Sequence, residues 1–213
     1  MFDFQFIAFV EHMKLITNSV NECEARIKAY MRMLRVGEGT GEITKSGKKI
    51  DFQLGYTTAF GGNKITDLKD HPRKNYGGSS AAGAYQIMGY TWDDDNLSSK
   101  KKKYKINSFS KEDQDKFCMI LLKYHPGCSS FISLIINGEI EKATRQCGSR
   151  VWASLPYKGD NSRYKFKGKP QPATPMKKVL EHYNTFLKEE LEGKSPLHLK
   201  DGFLKEFGYD CSI

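Results

Sequence analysis

A chain of 213 residues with 38% hydrophobic and 28% charged positions has enough apolar surface for one substantial core. That balance excludes a disordered segment and a membrane-embedded one. The formal net charge of +9 points to an anionic partner or surface, nucleic acid and an acidic cell envelope among them, without choosing between the two.

The N-terminal stretch MFDFQFIAFVEHMKLI is apolar but interrupted by Asp3, Gln5, Glu11, His12 and Lys14. It is too short and too charged to span a bilayer and precedes no cleavage signal, so it reads as a docking strand or amphipathic helix without an export signal. Ile27, Tyr30, Met31 and Leu34 fall at i, i+3, i+4 and i+7 and predict a helix with one buried face. Glu38 lies one turn further along that face, and Gly39 and Gly41 stop the helix. From Gly39 to Gly89 the chain is rich in Gly, Thr, Asn and Asp, with β-like runs such as DFQLGYTTAF, a pattern of functional loops over a helical scaffold.

SSKKKKYK, residues 98–105, reads as a solvated basic loop. Ser110 and Asp113 form a near capping box that opens a helix with the stripe Phe117, Ile120, Leu121 and Tyr124. Two short helices follow, divided at Asn137–Gly138. KGDNSRYKFKGKPQPATP is loop-like. Thr174 is expected to cap a last helix with Pro175 in its first position, the stripe Met176, Val179, Leu180, Tyr183, Leu187 and Leu191, and a stop at Gly193. An extension over 1–28, a main domain over 29–193 and a tail over 194–213 packing back on it are the expected divisions. The five cysteines, Cys23, Cys118, Cys128, Cys147 and Cys211, show neither a Cys-x-x-Cys pair nor zinc-like spacing with histidine. No metal or cofactor is therefore expected, and Cys118 and Cys147 read as core thiols suited to a reducing cytoplasm.

A glutamate that continues an apolar stripe at a helix C-terminus has two reasons to resist ionisation: apolar neighbours and the negative end of the helix dipole. Glu38 is thus a candidate proton donor for a sugar–sugar bond, whose leaving alkoxide needs a proton. The other possibility is a solvated helix end. Asp67, Asp70 and Glu42 are the available second carboxylates if a two-carboxylate scheme operates. Asp70 and His71, in TDLKDHPRK, either line a cleft or close a structural turn around Pro72. In SSAAGAYQIMGYTW, the aromatic face of Tyr85 and the amide of Gln86 suit pyranose rings and N-acetyl groups. Trp152 reads as core.

Helices around a glycine-rich, partly β insertion are the outline of a mainly helical α+β, lysozyme-like domain with a small β-sheet and loop lobe forming a cleft. GEGTG, GYTTAFGG, TDLKDHPRK, AAGAYQI, FSKEDQD and CGSRVWASLP carry a more specific signal. In order and spacing they resemble the phage-lambda-type endolysins, which are lytic transglycosylases of lysozyme-like fold. The resemblance runs from about Ala29 to Pro156 and more loosely through the last helix. It implies cleavage of the β-1,4 bond between N-acetylmuramic acid and N-acetylglucosamine, with the sugar's own 6-hydroxyl closing onto C1 to leave a 1,6-anhydro end. It also implies Glu38 as the single catalytic residue, acid then base. Tyr85, Gln86, His71, Asp70, Gly83 and Tyr56 become the substrate-binding set, with no cofactor.

Peptidoglycan glycan strands are the implied partner, with no nucleic acid and no stable membrane insertion. The implied life cycle is a monomer that accumulates in the host cytoplasm and reaches the periplasm and wall through a lesion made by a separate membrane-permeabilising protein. A lysozyme-type hydrolase, or a virion or tail component that binds or penetrates the wall, are the alternative functions. Ala84 departs from the family's usual basic residue before Tyr-Gln, YKGDNSRYKFKGKPQP replaces the family's short segment after Pro156, and the N-terminal extension and the tail after Gly193 have no counterpart in it.

Overall fold

The computed structural model describes residues 22–44, 47–124 and 127–211, so the expected N-terminal docking segment lies outside the described residues. Helix α1 occupies 22–38 and is buried on nearly every side rather than along one face. Ile27, Tyr30, Met31 and Leu34 are inaccessible as their spacing predicts, but so are Ala29, Arg32, Arg35 and Val36. Neighbours surround it. The Tyr30 ring meets Phe131 edge-on at 5.6 Å, and Lys28 pairs with Asp201 at 3.0 Å. The division placed between residues 28 and 29 cuts through this continuous helix, whose residues Cys23, Ala25 and Ile27 already belong to the core.

The two arginines within this helix are accommodated differently. Arg32 donates to Glu42, Glu189 and Glu190 and lies 4.4 Å from the Phe186 ring centroid, which ties α1 to the C-terminal helix. Arg35 stacks on Phe52 at 3.4 Å and donates to the carbonyls of Thr40 and Phe52. Burying a cation is costly unless partners meet its donors. Both sets of partners come from outside α1, and Arg35 Nη1 is left without a hydrogen bond among the described residues.

After α1 the chain forms a 3-10 helix at Phe52–Thr57, where DFQLGY had suggested extended structure, and then a two-residue antiparallel ladder of β1 (Thr58–Ala59) and β2 (Asn63–Lys64). Helix α2 (Gly89–Trp92) leads to α3 (Asp95–Lys103). The lysine run is therefore helical, a correction to the loop reading. Asp94 caps it by accepting from the Asn96 N–H, Leu97 anchors it in the core, and Lys101 reaches back to donate to the Trp92 carbonyl at 2.5 Å. Lysine is a good helix former, and charge alone says nothing of backbone state.

Helix α4 (Lys111–Tyr124) begins as expected, with the Asp113 N–H donating to Ser110 Oγ and Asp113 Oδ2 accepting from Ser108. Helix α5 (Phe131–Ile136) ends at Asn137, and α6 (Ile140–Lys142) runs on through a π-helical turn, Ala143–Cys147, into a 3-10 turn, Gly148–Arg150. Cys147 is not a free core thiol: it forms a disulfide with Cys128, across a sequence separation of 19. Cys118 is buried and free.

The segment expected to be a loop after Pro156 folds instead as a three-stranded antiparallel sheet, β3 (Pro156–Lys158), β4 (Asn161–Phe166) and β5 (Lys169–Pro172). Lys167 and Gly168, both at positive φ, make the two-residue turn between β4 and β5 that matches strand twist. Pro170 and Pro172 sit on an edge strand, the place where a sheet tolerates a missing N–H. Helix α7 (Met176–Leu191) starts one residue later than expected: Pro175 occupies the cap position, and the Met176 N–H is satisfied by Asp160 from the β3–β4 turn rather than by Thr174. Its buried face carries Phe186 and Glu190, while Leu191 points to solvent. The tail then returns through α8 (Phe203–Glu206), with Leu197, Leu199, Phe203, Leu204 and Phe207 entering the core. Among the described residues no helix is long and apolar enough to cross a membrane.

Candidate active site

Glu38 is the last residue of α1, half-buried, and Gly39 turns the chain away at φ +74°. Its carboxylate Oε1 accepts a 2.5 Å hydrogen bond from Ser154 Oγ, on the turn that follows the 148–150 helical segment. The carboxyl thus sits at the negative end of the helix dipole with one oxygen oriented by a hydroxyl 116 positions away in sequence.

A groove of about 850 Å³ lies between Phe60, Gly78 and Ser79 on one side and Lys167 and the strand Lys169–Pro172 on the other. Phe60 is 43% exposed there, an aromatic face open to a ligand. The polypeptide of both walls runs back to the end of α1. On one side the Phe60 N–H donates to Ala81 O, Ala59 bridges Ala82, and the Ala84 carbonyl accepts from Thr40 Oγ1 at 2.5 Å. On the other side, two residues beyond Pro172, the Thr174 N–H donates to Ser154 O, and Ser154 holds Glu38. The sheet that sequence reading missed supplies the second wall.

The turn 82–87 is tightly determined. Gly83 has φ +73°, and a Cβ there would lie 2.2 Å from Gln114 Oε1, so no side chain fits. The same oxygen accepts from the Ala84 N–H at 2.7 Å. Tyr85 is 1% exposed and directs its hydroxyl to Asp115 Oδ1 at 2.6 Å, away from the groove. Tyr56, also inaccessible, donates to the same carboxylate, as does the His198 N–H of the tail. Burial pushes the Asp115 carboxyl above its ordinary range, against the pull of these donors, and burial beside Asp115 pushes both tyrosine hydroxyls well above theirs. Asp115 joins three chain segments from within the core; in the sequence it appears only as the last residue of FSKEDQD, with no role assigned to it.

Tyr56, Gly83 and Tyr85 were expected to touch substrate; the structure buries all three behind the groove as its support. His71 is buried too, flanked by Trp92 and Phe109, with Nε2 donating to Ile87 O at 2.8 Å and Nδ1 accepting from the Arg73 N–H at 3.0 Å. Burial lowers its pKa, and a ring nitrogen that accepts from a backbone N–H is that of a neutral imidazole. Asp70 is exposed but engaged: it accepts from the Trp92 indole at 2.9 Å, from the His71 N–H at 2.7 Å and from Arg73 at 2.6 Å. Its partial desolvation would raise its pKa, but these donors outweigh it and hold the carboxyl below 3.8. DHPRK is thus a locked turn, the structural alternative for Asp70.

Gln86 alone of the expected binding set keeps a half-buried side chain, with Nε2 donating to the carbonyls of Thr58 and Gly83. Trp152 is core, its indole donating to Tyr85 O. Glu42, one of the possible second carboxylates, is paired with Arg32, and Asp67 accepts from the Lys69 N–H. Among the described residues no group of His, Cys, Asp or Glu could hold a metal ion.

A family model described as Endolysin matches residues 28–187. The endolysin of Escherichia phage lambda is 31% identical over 153 residues, which span 66% of this chain and 88% of that protein. Bacteriophage lambda lysozyme solved in complex with a chitohexasaccharide superposes with a TM-score of 0.53 at 26% identity, covering 82% of this chain and 97% of that one. A second structure of the phage lambda lysozyme, at 24% identity and a TM-score of 0.52, matches in fold. With its α1–Glu38 terminus, its groove between two small β lobes and a family match over most of its length, the chain belongs to the endolysin family of phage lambda type.

Proposed function

We propose that this endolysin is a lytic transglycosylase that cleaves the bond between N-acetylmuramic acid and N-acetylglucosamine in peptidoglycan, with Glu38 acting first as acid and then as base. The related phage lysozyme was solved with a chitohexasaccharide, and the groove here offers an open aromatic face, Phe60, and an amide, Gln171, suited to sugar rings. One observation carries the choice of mechanism. Asp70, Asp67 and Glu42, the carboxylates that a hydrolase would recruit as nucleophile or second base, each accept from groups of their own neighbourhood, while Glu38 stands at the end of α1 with one oxygen oriented by Ser154.

The steps follow from a single carboxyl group. Protonated Glu38 donates to the glycosidic oxygen as the C1–O bond breaks, and positive charge develops at C1 and the ring oxygen. The resulting carboxylate, oriented by Ser154, accepts the proton of the muramic acid 6-hydroxyl as that oxygen bonds to C1. Glu38 returns to its acid form, and no water is consumed. The protein would accumulate in the host cytoplasm and reach the wall once a separate protein has opened the membrane, its net positive charge favouring the anionic envelope.

Glu38→Gln assayed on purified peptidoglycan tests this reading. The swap preserves shape and removes the transferable proton, so activity should fall ~10²–10⁴-fold with an unchanged melting temperature. Mass spectrometry of the unaltered enzyme's products should find ends one water lighter than reducing ends. Reducing ends would establish hydrolysis instead.

A further inference from the structure

Beneath the β3–β4 strands lies a second, polar pocket of about 560 Å³. Tyr157 and Arg163 line it from the sheet, Gln146 and Arg150 from the helical segment before Trp152, and Ser129 and Ser130 from the loop ahead of α5. The Cys128–Cys147 disulfide ties that loop to that segment and fixes the separation of two walls. The third is fixed by Tyr164, whose hydroxyl donates to the Arg150 carbonyl at 2.6 Å.

The arginines are what distinguish it. Arg26, Arg32, Arg73 and Arg145 each face a carboxylate, and Arg35 is spent on buried carbonyls and aromatic rings. Arg150 and Arg163 have no carboxylate partner among the described residues, and no acidic residue lines the pocket. The Arg163 guanidinium carbon lies 3.6 Å from the Tyr157 ring centroid, and its Nε is buried without a hydrogen-bond partner among the described residues. The Nε of Arg150 is tied to Gln146 O, and its Nη1 reaches the loop, 3.2 Å from where a Cβ on Gly127 would sit. Two guanidinium groups beside serine hydroxyls, with no acidic residue lining the pocket, have the donor chemistry of a carboxylate site.

We propose that this pocket binds a carboxylate of the peptide stem that muramic acid carries, making the enzyme select stem-bearing glycan. Reach is adequate. Arg150 is four residues from Ser154, at most about 14 Å along the chain, and Ser154 touches Glu38. A stem of four or five residues extends about 13–18 Å from the sugar on which Glu38 acts, enough to span that distance. The neutral or amidated stem would lose the contact, and the bare glycan would never make it.

This rests on the glycan-cleaving reading, so the test uses two soluble substrates: uncrosslinked glycan strands with their stems, and the same strands stripped by an amidase. Replacing both arginines (Arg150→Gln with Arg163→Gln) should raise KM for stem-bearing strands about tenfold or more, the loss expected of charge-assisted hydrogen bonds. Neither kcat nor the kinetics on stripped strands should change, which also shows that the variant is folded. Arg163→Lys, keeping charge, should recover part of the KM. An equal loss on both substrates, or no change on stem-bearing strands, overturns the assignment. An unaltered enzyme that cleaves neither substrate would overturn glycan cleavage itself, and this inference with it.

Discussion

Tyr85→Phe separates a residue that touches sugar from one that supports the groove from behind. The substitution deletes one oxygen, the donor of the 2.6 Å hydrogen bond to Asp115 Oδ1, and leaves the ring packed and its carbonyl bonded to Trp152. A hydrogen bond to a charged acceptor contributes about 1.5–3 kcal/mol. Asp115 retains Tyr56 and the His198 N–H, which places the loss near the lower end, about 1.5–2 kcal/mol. For a chain of this size that is a fall in melting temperature of roughly 3–8 °C. Guanidinium unfolding and steady-state turnover on peptidoglycan, run on one preparation, measure both consequences. The buried geometry requires lower stability with KM unchanged. A variant as stable as the parent with KM raised fivefold would refute it, because the hydroxyl would then be acting on substrate.

Arg32→Leu should destabilise the fold by about 3–5 kcal/mol, because it strands Glu190, which is buried and faces Arg32 at 2.9 Å; chemical denaturation gives the value, and a loss under 1 kcal/mol would contradict the ion network. His71 sets an acid-sensitive step. Its folded pKa lies below the ordinary 6.5, so its contribution to stability is complete above pH 6.5 and is lost as pH falls through the folded value. Protonation would put a second N–H at Nδ1 against the Arg73 N–H. Melting temperature followed from pH 7.5 to 5 should therefore decline less steeply in His71→Gln than in the parent, and parallel curves would rule the mechanism out. His182 is also held below 6.5 by burial but is common to both proteins and cancels in the difference.

Local signals in the chain were read correctly where neighbours settle the matter. The spacing of Ile27, Tyr30, Met31 and Leu34 gave α1 and placed Glu38 at its end, and Ser110 and Asn137–Gly138 marked a helix start and a stop. These features depend on residues within one or two turns, whose periodicity and capping chemistry are visible without a fold. The basic stretches misled for the opposite reason. Lys100–Lys103 is a helix because Leu97 and Trp92 give it something to lie against, and Tyr164 lies in a strand because β3 and β5 pair with β4 on either side.

The largest difference concerns polar side chains. Sequence tells which groups can donate or accept, but not what stands opposite them. Asp115 became the centre of the core because Tyr56, Tyr85 and the tail converge on it, which turned two expected sugar contacts into supports. Ser154 gained its role only by meeting Glu38, and Arg150 and Arg163 are set apart by meeting no carboxylate among the described residues. A helix is written in neighbours along the chain. Whether a polar atom is buried, paired or left facing a groove depends on segments brought together from far apart, and only folding supplies those partners.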